Sequence, residues 1–265
     1  MAMNTVRPKK ALGQHFLKDE RIAERIAATL DDCPELPVVE VGPGMGVLTK
    51  WLLAKGHDMT VAEVDTESVA WLKANMNGLD ASRILEHDFL KLDLNSLFGG
   101  KDLAVTGNYP YNISSQIFFH ILEYKDIVKV CSGMLQKEVA ERLAAPAGTK
   151  ARGILSVLLQ AWYDVEYLFT VDETVFHPMP KVKSGVIKMR RNNVESLGCD
   201  ESLFKTVVKT TFSQRRKTLR NSIKPLLKPG QTLGDEWSAL LSKRPEQLSV
   251  TEFIELTTAL SPKNS

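Results

Sequence analysis

AVTGNYPYNISSQ, residues 104–116, opens as a buried strand and breaks off at Asn108-Tyr109-Pro110-Tyr111. A helical pattern takes over near Ile113. An amide, a proline and two phenols at the join between an apolar strand and a helix mark a strand end that meets a ligand rather than more core.

Outward from this turn the chain alternates. From Val38 come strand VVEVG, helix MGVLTKWLLAKG, strand MTVAEVD, helix TESVAWLKANMN and strand RILEHD; the opening strand and helix follow, then strand IVKVCSGML. Strands separated by helices of this length predict parallel pairing with helices on both faces of the sheet. Residues 137–163 read as helical with a break at PAGTKARG, and two further strand candidates, DVEYLFTV and GVIKMRR, flank the loop FHPMPKVKS. Beyond Asn192 the β-branched signal fades into short helices separated by Pro and Gly. The expectation is an α/β domain over residues 1–192 and a small helical domain over 193–265.

The 265 residues are 43% hydrophobic and 25% charged, within the range of an ordinary soluble protein. No apolar run approaches the ~20 residues of a membrane span, and MAMNTVRPKKALGQHFL lacks a signal-peptide apolar core. Cys33, Cys131 and Cys199 are far apart and have no metal-ligand spacing, so a reduced, cytoplasmic protein without metal is expected. Net charge is only +2, but residues 1–18, 174–194 and 202–234 hold 4, 5 and 8 Lys/Arg and no acid. Segregation on that scale points to a polyanion, nucleic acid above all, the alternative being a chance solvated run.

In open α/β sheets the ligand sits at the carboxyl ends of the strands. The first such end carries EVGPGMGVLT, whose Gly42, Gly44 and Gly46 follow neither the dinucleotide pattern nor a P-loop. Glu63 closes the second strand, where a carboxylate can accept from both ribose hydroxyls. Asp88 closes the third and suits an adenine amino group. Either alone is as readily a surface turn. Together they describe an adenosine-containing ligand that needs no phosphate cradle, which S-adenosylmethionine satisfies. At the fourth strand end, the Asn108 carbonyl and a backbone carbonyl of Tyr109 or Pro110 could each accept an N–H of an adenine amine. Its lone pair would then point at the methyl group. Pro110 fixes the turn, and Tyr111 can stack on the base for ~1–3 kcal/mol. That is catalysis by positioning and electrostatics.

The segments KKALGQHFL, EVGPGMGVLT, GNYPYNIS, MLQKEVAERL, FHPMPKVKSGV and FSQRRKTLRNSIK occur in this order, from about Lys9 to about Lys224. In this the chain resembles the ribosomal RNA adenine N6-dimethyltransferase family, in its bacterial small-subunit branch. The resemblance implies a seven-stranded methyltransferase sheet with a helical C-terminal domain. It also implies dimethylation of two adjacent adenosines in a hairpin loop near the 3′ end of small-subunit (16S) ribosomal RNA. Cofactor contacts are implied at His15, Leu17, Gly42, Glu63, Asp88 and Asn108, with Gly44 in the same turn. His15 is expected to hydrogen-bond the cofactor rather than shuttle protons. Phe176 is implied to sandwich the target base opposite Tyr111, a loop-anchoring core ring being the alternative. Tyr109 stands where the family usually has Leu, and Lys183 where it usually has Asp. A second phenol is expected to narrow or polarise the pocket, and Lys183 to add positive charge beside the base loop.

The reading is therefore an S-adenosylmethionine-dependent ribosomal RNA methyltransferase, expected to act as a monomer on the immature small (30S) subunit without membrane or metal. Arg215, Arg216, Lys217, Arg220 and Lys224 are expected to hold RNA phosphates, with Arg216 and Arg220 on one helical face and Lys217 and Lys224 on another. The rival reading is a small-subunit assembly factor for which methylation is secondary.

Overall fold

The computed structural model describes residues 6–261; the outermost residues of the two expected domains, 1–5 and 262–265, lie outside the described residues. A two-residue strand β1 (Phe16–Leu17) and helix α1 (Glu20–Ala27) precede the alternation. Then come β2 (Val38–Val41), α2 (Val47–Ala54), β3 (Met59–Glu63), α3 (Thr66–Asn75), β4 (Ile84–Glu86) and α4 (Leu94–Phe98). The series continues with β5 (Leu103–Asn108), α5 (Ser114–Glu123), β6 (Val128–Gln136), α6 (Lys137–Ala144) and α7 (Ile154–Gln160). It closes with β7 (Tyr163–Val171), β8 (Phe176–His177) and β9 (Ser184–Arg191), then α8 (Glu201–Ser213), α9 (Leu219–Ser222), α10 (Ser238–Leu241) and α11 (Val250–Leu260).

Seven strands form one sheet in the order β4-β3-β2-β5-β6-β9-β7. The five from β2 to β6 pair in parallel, and β9 runs antiparallel to β6. β2 and β3 are buried along their whole length, which is why they read as unbroken apolar runs rather than as an alternation. The order reverses at β2, whose two neighbours β3 and β5 lie on either side. That reversal opens a crevice at the strands' carboxyl ends.

Periodicity did not anticipate a second, two-stranded sheet. β1 pairs antiparallel with β8, setting Phe16 opposite His177 and Leu17 opposite Phe176. The N-terminal segment is thereby fastened to the loop that precedes β9.

The described chain divides into two compact units. One comprises everything up to Ala140 together with Val165–Arg191; the other comprises Glu141–Asp164 and everything from Asn192. One boundary between the units falls between Arg191 and Asn192, and Glu141–Asp164, which the sequence reading placed in the sheet domain, groups with the helical unit. The reason is α7, whose Leu155 to Leu159 are all buried and which packs on α8. In that unit Phe212 of α8 stacks on Phe253 of α11 at 6.1 Å between ring centroids. Ser249 and Glu252 form a reciprocal cap at the start of α11.

Candidate active site

The ends of β2, β3, β4 and β5 lie side by side, so Gly42, Glu63, Asp88 and Asn108 come to one edge of the sheet. They line a cleft of about 670 Å³ together with Gly44 and His15. Gly44 has φ +56°, and a Cβ there would sit 2.8 Å from the Phe16 ring. Only glycine lets this turn and the N-terminal segment approach so closely.

Glu63 is 4% exposed and already accepts three backbone N–H groups. Its Oε2 takes that of Gly44 at 3.0 Å, and its Oε1 those of Val64 and Asp65, each at 2.9 Å. A carboxylate offers about four acceptor positions, so one remains, on Oε2. That suits one ribose hydroxyl directly, whereas the sequence suggested two. Burial pushes the Glu63 carboxyl above its ordinary value despite the amides of Asp65, Gly44 and Val64. Asp88 caps the turn after β4, its Oδ1 accepting from Leu90 N at 3.0 Å, so Oδ2, 3.9 Å from Lys91 Nζ and beyond hydrogen-bond reach of it, is the oxygen left for an amino group. Two carboxylate oxygens with open acceptor positions and the apolar Val64 and Phe89 fit an adenosine. Behind them Glu40, fully buried, accepts from Thr49 Oγ1 at 2.6 Å, and its carboxyl is pushed up to about 8, chiefly by burial.

The Asn108 side chain donates from Nδ2 to the His15 carbonyl at 2.9 Å. This assigns the amide's orientation and leaves Oδ1, without a partner among the described residues, as an acceptor in the cleft. The two backbone carbonyls that follow differ. That of Pro110 accepts from Ile113 N at 3.2 Å, while that of Tyr109 takes no hydrogen bond from the described residues. Tyr111 is held by a 2.5 Å hydrogen bond between its hydroxyl and that of Ser184, and its ring lies 5.4 Å from the His15 ring at 30°. His15 is oriented in turn by a 2.7 Å contact between Nδ1 and the Pro178 carbonyl.

Three expectations are corrected. The Tyr109 phenol points away from the cleft: it is 1% exposed, donates to the Ser132 carbonyl at 3.1 Å and touches Cys131 Sγ at 3.2 Å. Tyr109 still lines the cleft, but its hydroxyl, spent inside the sheet, does not polarise it. Phe176, at 2% exposure, is a core ring packed in the sheet unit, because its pairing in β8 turns it inward; it does not line the cleft opposite Tyr111. Leu17, its partner in that pairing, is also mostly buried, at 6% exposure, but it lines a smaller pocket with Phe16, Gly42 and Asn108, three residues that also line the cleft. Lys183 pairs with Asp172 at 3.1 Å, so its charge is balanced.

Sequence reasoning missed how the N-terminal segment is held. Lys9 forms an ion pair with Asp65, two residues beyond Glu63, and Gln14 donates to the same carboxylate at 3.3 Å. The motif KKALGQHFL contained both residues, but a polar latch has no periodicity to betray it.

The sequence profile described as ribosomal RNA adenine dimethylase matches residues 5–258. The chain belongs to this family. The ribosomal RNA small subunit methyltransferase A of Parabacteroides distasonis is 66% identical over 96% of this chain and 94% of its own length. Its namesake from Bacteroides thetaiotaomicron is 64% identical over the same shares of both. Among solved structures, a dimethyladenosine transferase from Plasmodium falciparum shares the fold at 23% identity and TM-score 0.74, covering 91% of this chain and 96% of that one. As a ribosomal RNA adenine dimethylase, the chain uses S-adenosylmethionine, and the cleft is where its residues fit that cofactor.

The dimethylase's basic segments are not equally available. Lys9, Lys183, Lys188 and Arg190 are each paired with acids. In the helical unit α8 ends at Ser213, so Arg215, Arg216 and Lys217 lie in a turn before α9 and not on one helix. The helical spacing expected for Arg216 with Arg220, and for Lys217 with Lys224, does not hold. Arg215 donates to the Lys150 carbonyl and lies 3.9 Å from Glu246, which makes it a bracing residue of the turn. Arg216, Lys217 and Lys224 are exposed and make no ion pair among the described residues; Arg220 donates to Ser238 Oγ at 3.2 Å. No cluster able to hold a metal ion and no helix long and apolar enough to cross a membrane occurs among the described residues.

Proposed function

We propose that this dimethylase transfers methyl groups to N6 of two adjacent adenosines in a hairpin loop near the 3′ end of small-subunit ribosomal RNA. It would act in the cytoplasm, as a monomer, on the immature small subunit. S-adenosylmethionine, when bound, supplies a methyl group made electrophilic by its positive sulfur. The residues' part is to make a poor nucleophile presentable. For the first methyl, Asn108 Oδ1 and the Tyr109 carbonyl each accept one N–H of the adenine amine, withdrawing its lone pair from the ring. For the second, one of them accepts the single N–H that remains, and each transfer ends with an amine proton passing to solvent. Those bonds hold the nitrogen in line for displacement, an effective-concentration and electrostatic contribution. Tyr111, fixed through Ser184, offers its ring to the base, which must leave its stack to arrive there. Glu63 and Asp88 bind the cofactor's adenosine portion, and His15 closes the cleft. Arg216, Lys217, Arg220 and Lys224 contact phosphates.

The observation that carries this reading is the Asn108 to His15 bond, because it turns the amide oxygen toward the cleft. The test is labelled methyl transfer to undermethylated small subunits with the modified nucleotides mapped. Asn108→Ala should reduce single-turnover methylation at least a hundred-fold at saturating cofactor and RNA, with subunit binding little changed. Near-normal rates, or methyls on other nucleotides, would contradict the proposal.

A further inference from the structure

A second cavity, of about 920 Å³, lies beyond the ring pair His15 and Tyr111, which lines both spaces. Its composition differs from that of the cofactor cleft. It holds Lys10 and Lys181, no acid among its described lining residues, and the side chains of Met179 and Val182. Met179 is 62% and Val182 45% exposed, two of the four large apolar residues left so open among the described residues. Neither is adjacent to a carboxylate in the sequence: 178–183 reads PMPKVK.

At the inner end stands Gln136, the last residue of β6, half-buried and lining the cavity. Its backbone is paired with Ser184, whose hydroxyl fixes Tyr111. Its side-chain amide takes no hydrogen bond from the described residues. An unpaired amide in a partly apolar, acid-free recess has one donor and one acceptor to offer side by side. That pattern matches an adenine edge: the amide oxygen accepts from the amine and the amide nitrogen donates to a ring nitrogen.

We propose that this cavity is a neighbouring-base subsite: it takes the adenine next to the one being methylated. Gln136 reads its edge, Met179 and Val182 cover its face, and Lys10 and Lys181 meet the flanking phosphates. The inference rests on the proposed substrate and deepens it. The occupant is single-stranded RNA because the lining has positive charge and apolar contact but no counter-charge. The cavity also shares its wall with the site where the target adenine must lie. Holding the neighbour there keeps the target from restacking on it, which is how adjacent apolar groups assist extruded bases. It also makes the amine of the neighbour count, so a neighbour already dimethylated, having no N–H, would bind less well.

The test uses undermethylated small subunits assembled with RNA whose neighbour is adenosine, purine riboside (no amine) or an abasic residue. Removing the amine should lower kcat/KM of the wild type roughly five- to a hundred-fold, the discrimination of one bidentate pair. Gln136→Met should lose a similar factor on adenosine and little more on purine riboside. Met179→Ala should behave likewise toward the abasic neighbour, by roughly five- to a hundred-fold for one stacked base. Cofactor affinity, read by calorimetry, should not move in either variant. A wild type indifferent to the neighbour, or losses that multiply in full when variant and altered RNA are combined, would overturn the subsite. If Gln136→Met fails to fold, the cycle with exposed Met179 decides alone. A wild type that transfers no methyl to the adenosine subunits would overturn the proposed substrate instead.

Discussion

The Glu63 carboxylate accepts the Gly44 N–H at 3.0 Å, so the group proposed to meet the cofactor's ribose is also the clasp of the glycine turn. Glu63→Ala should therefore do two things at once. It removes a charge-assisted bond and leaves the amides of Gly44, Val64 and Asp65 without their acceptor, each buried donor worth ~1–3 kcal/mol if nothing replaces it. Cofactor affinity should fall about ten- to a hundred-fold and the chain should unfold at lower denaturant. An alanine variant that unfolds like the wild type would contradict the clasp.

Tyr109 gives the opposite expectation. Because its hydroxyl is spent on Ser132 and Cys131 inside the sheet, Tyr109→Phe should lower stability by ~1–2 kcal/mol. Cofactor affinity should remain that of the wild type. Calorimetry beside urea unfolding separates the two quantities, and a changed affinity would place the phenol back in the cleft.

Glu40 makes stability depend on pH. Its carboxyl keeps a proton in the folded chain up to about 8, against an ordinary 4.5. Between those values the unfolded chain binds fewer protons than the folded one, so stability falls as pH rises, by up to ~1.4 kcal/mol per pH unit. The contribution is whole below the unfolded value and lost as pH climbs through the folded one. Glu40→Gln, which can still accept from Thr49, should flatten this slope. Unfolding measured at pH 5.5 and 7.5 should show the wild type losing stability relative to the variant; parallel losses would mean that Glu40 ionises normally.

The turn after α8 supplies the RNA test. Neutralising Arg216, Lys217 and Arg220 together should weaken subunit binding and lower its salt dependence by ~0.7–0.9 for each phosphate that no longer meets a cation. Arg215 is left in place because it braces Lys150 and Glu246. Cofactor affinity should be unaffected. Normal binding at every salt concentration would make the run a solvated face.

Much of the sheet was legible because buried parallel strands leave unbroken apolar runs, and the strand ends named Gly42, Glu63, Asp88 and Asn108 from position alone. What escaped was what periodicity cannot carry. Two-residue strands have no repeat, so β1 and β8 were invisible, and with them the inward turn of Phe176 and Leu17. The side on which Tyr109 falls depends on Gly133, where a Cβ would lie 2.6 Å from its ring, a contact 24 residues away. The end of α8 at Ser213 carried no Pro or Gly to announce it, so the arginines read as one helix.

The latch of Lys9 and Gln14 on Asp65, with Asn108 gripping His15, means that one wall of the cofactor cleft is built from a segment with almost no regular structure of its own. Such a wall borrows its order from the polar groups it touches. If the cofactor binds in this cleft as proposed, its occupancy and the docking of residues 9–17 are two faces of one equilibrium: what holds the segment down would tighten the cofactor, and the cofactor would hold the segment down. On that proposal, a variant that loosens the latch, such as Gln14→Ala, should weaken cofactor binding without unfolding the sheet beneath.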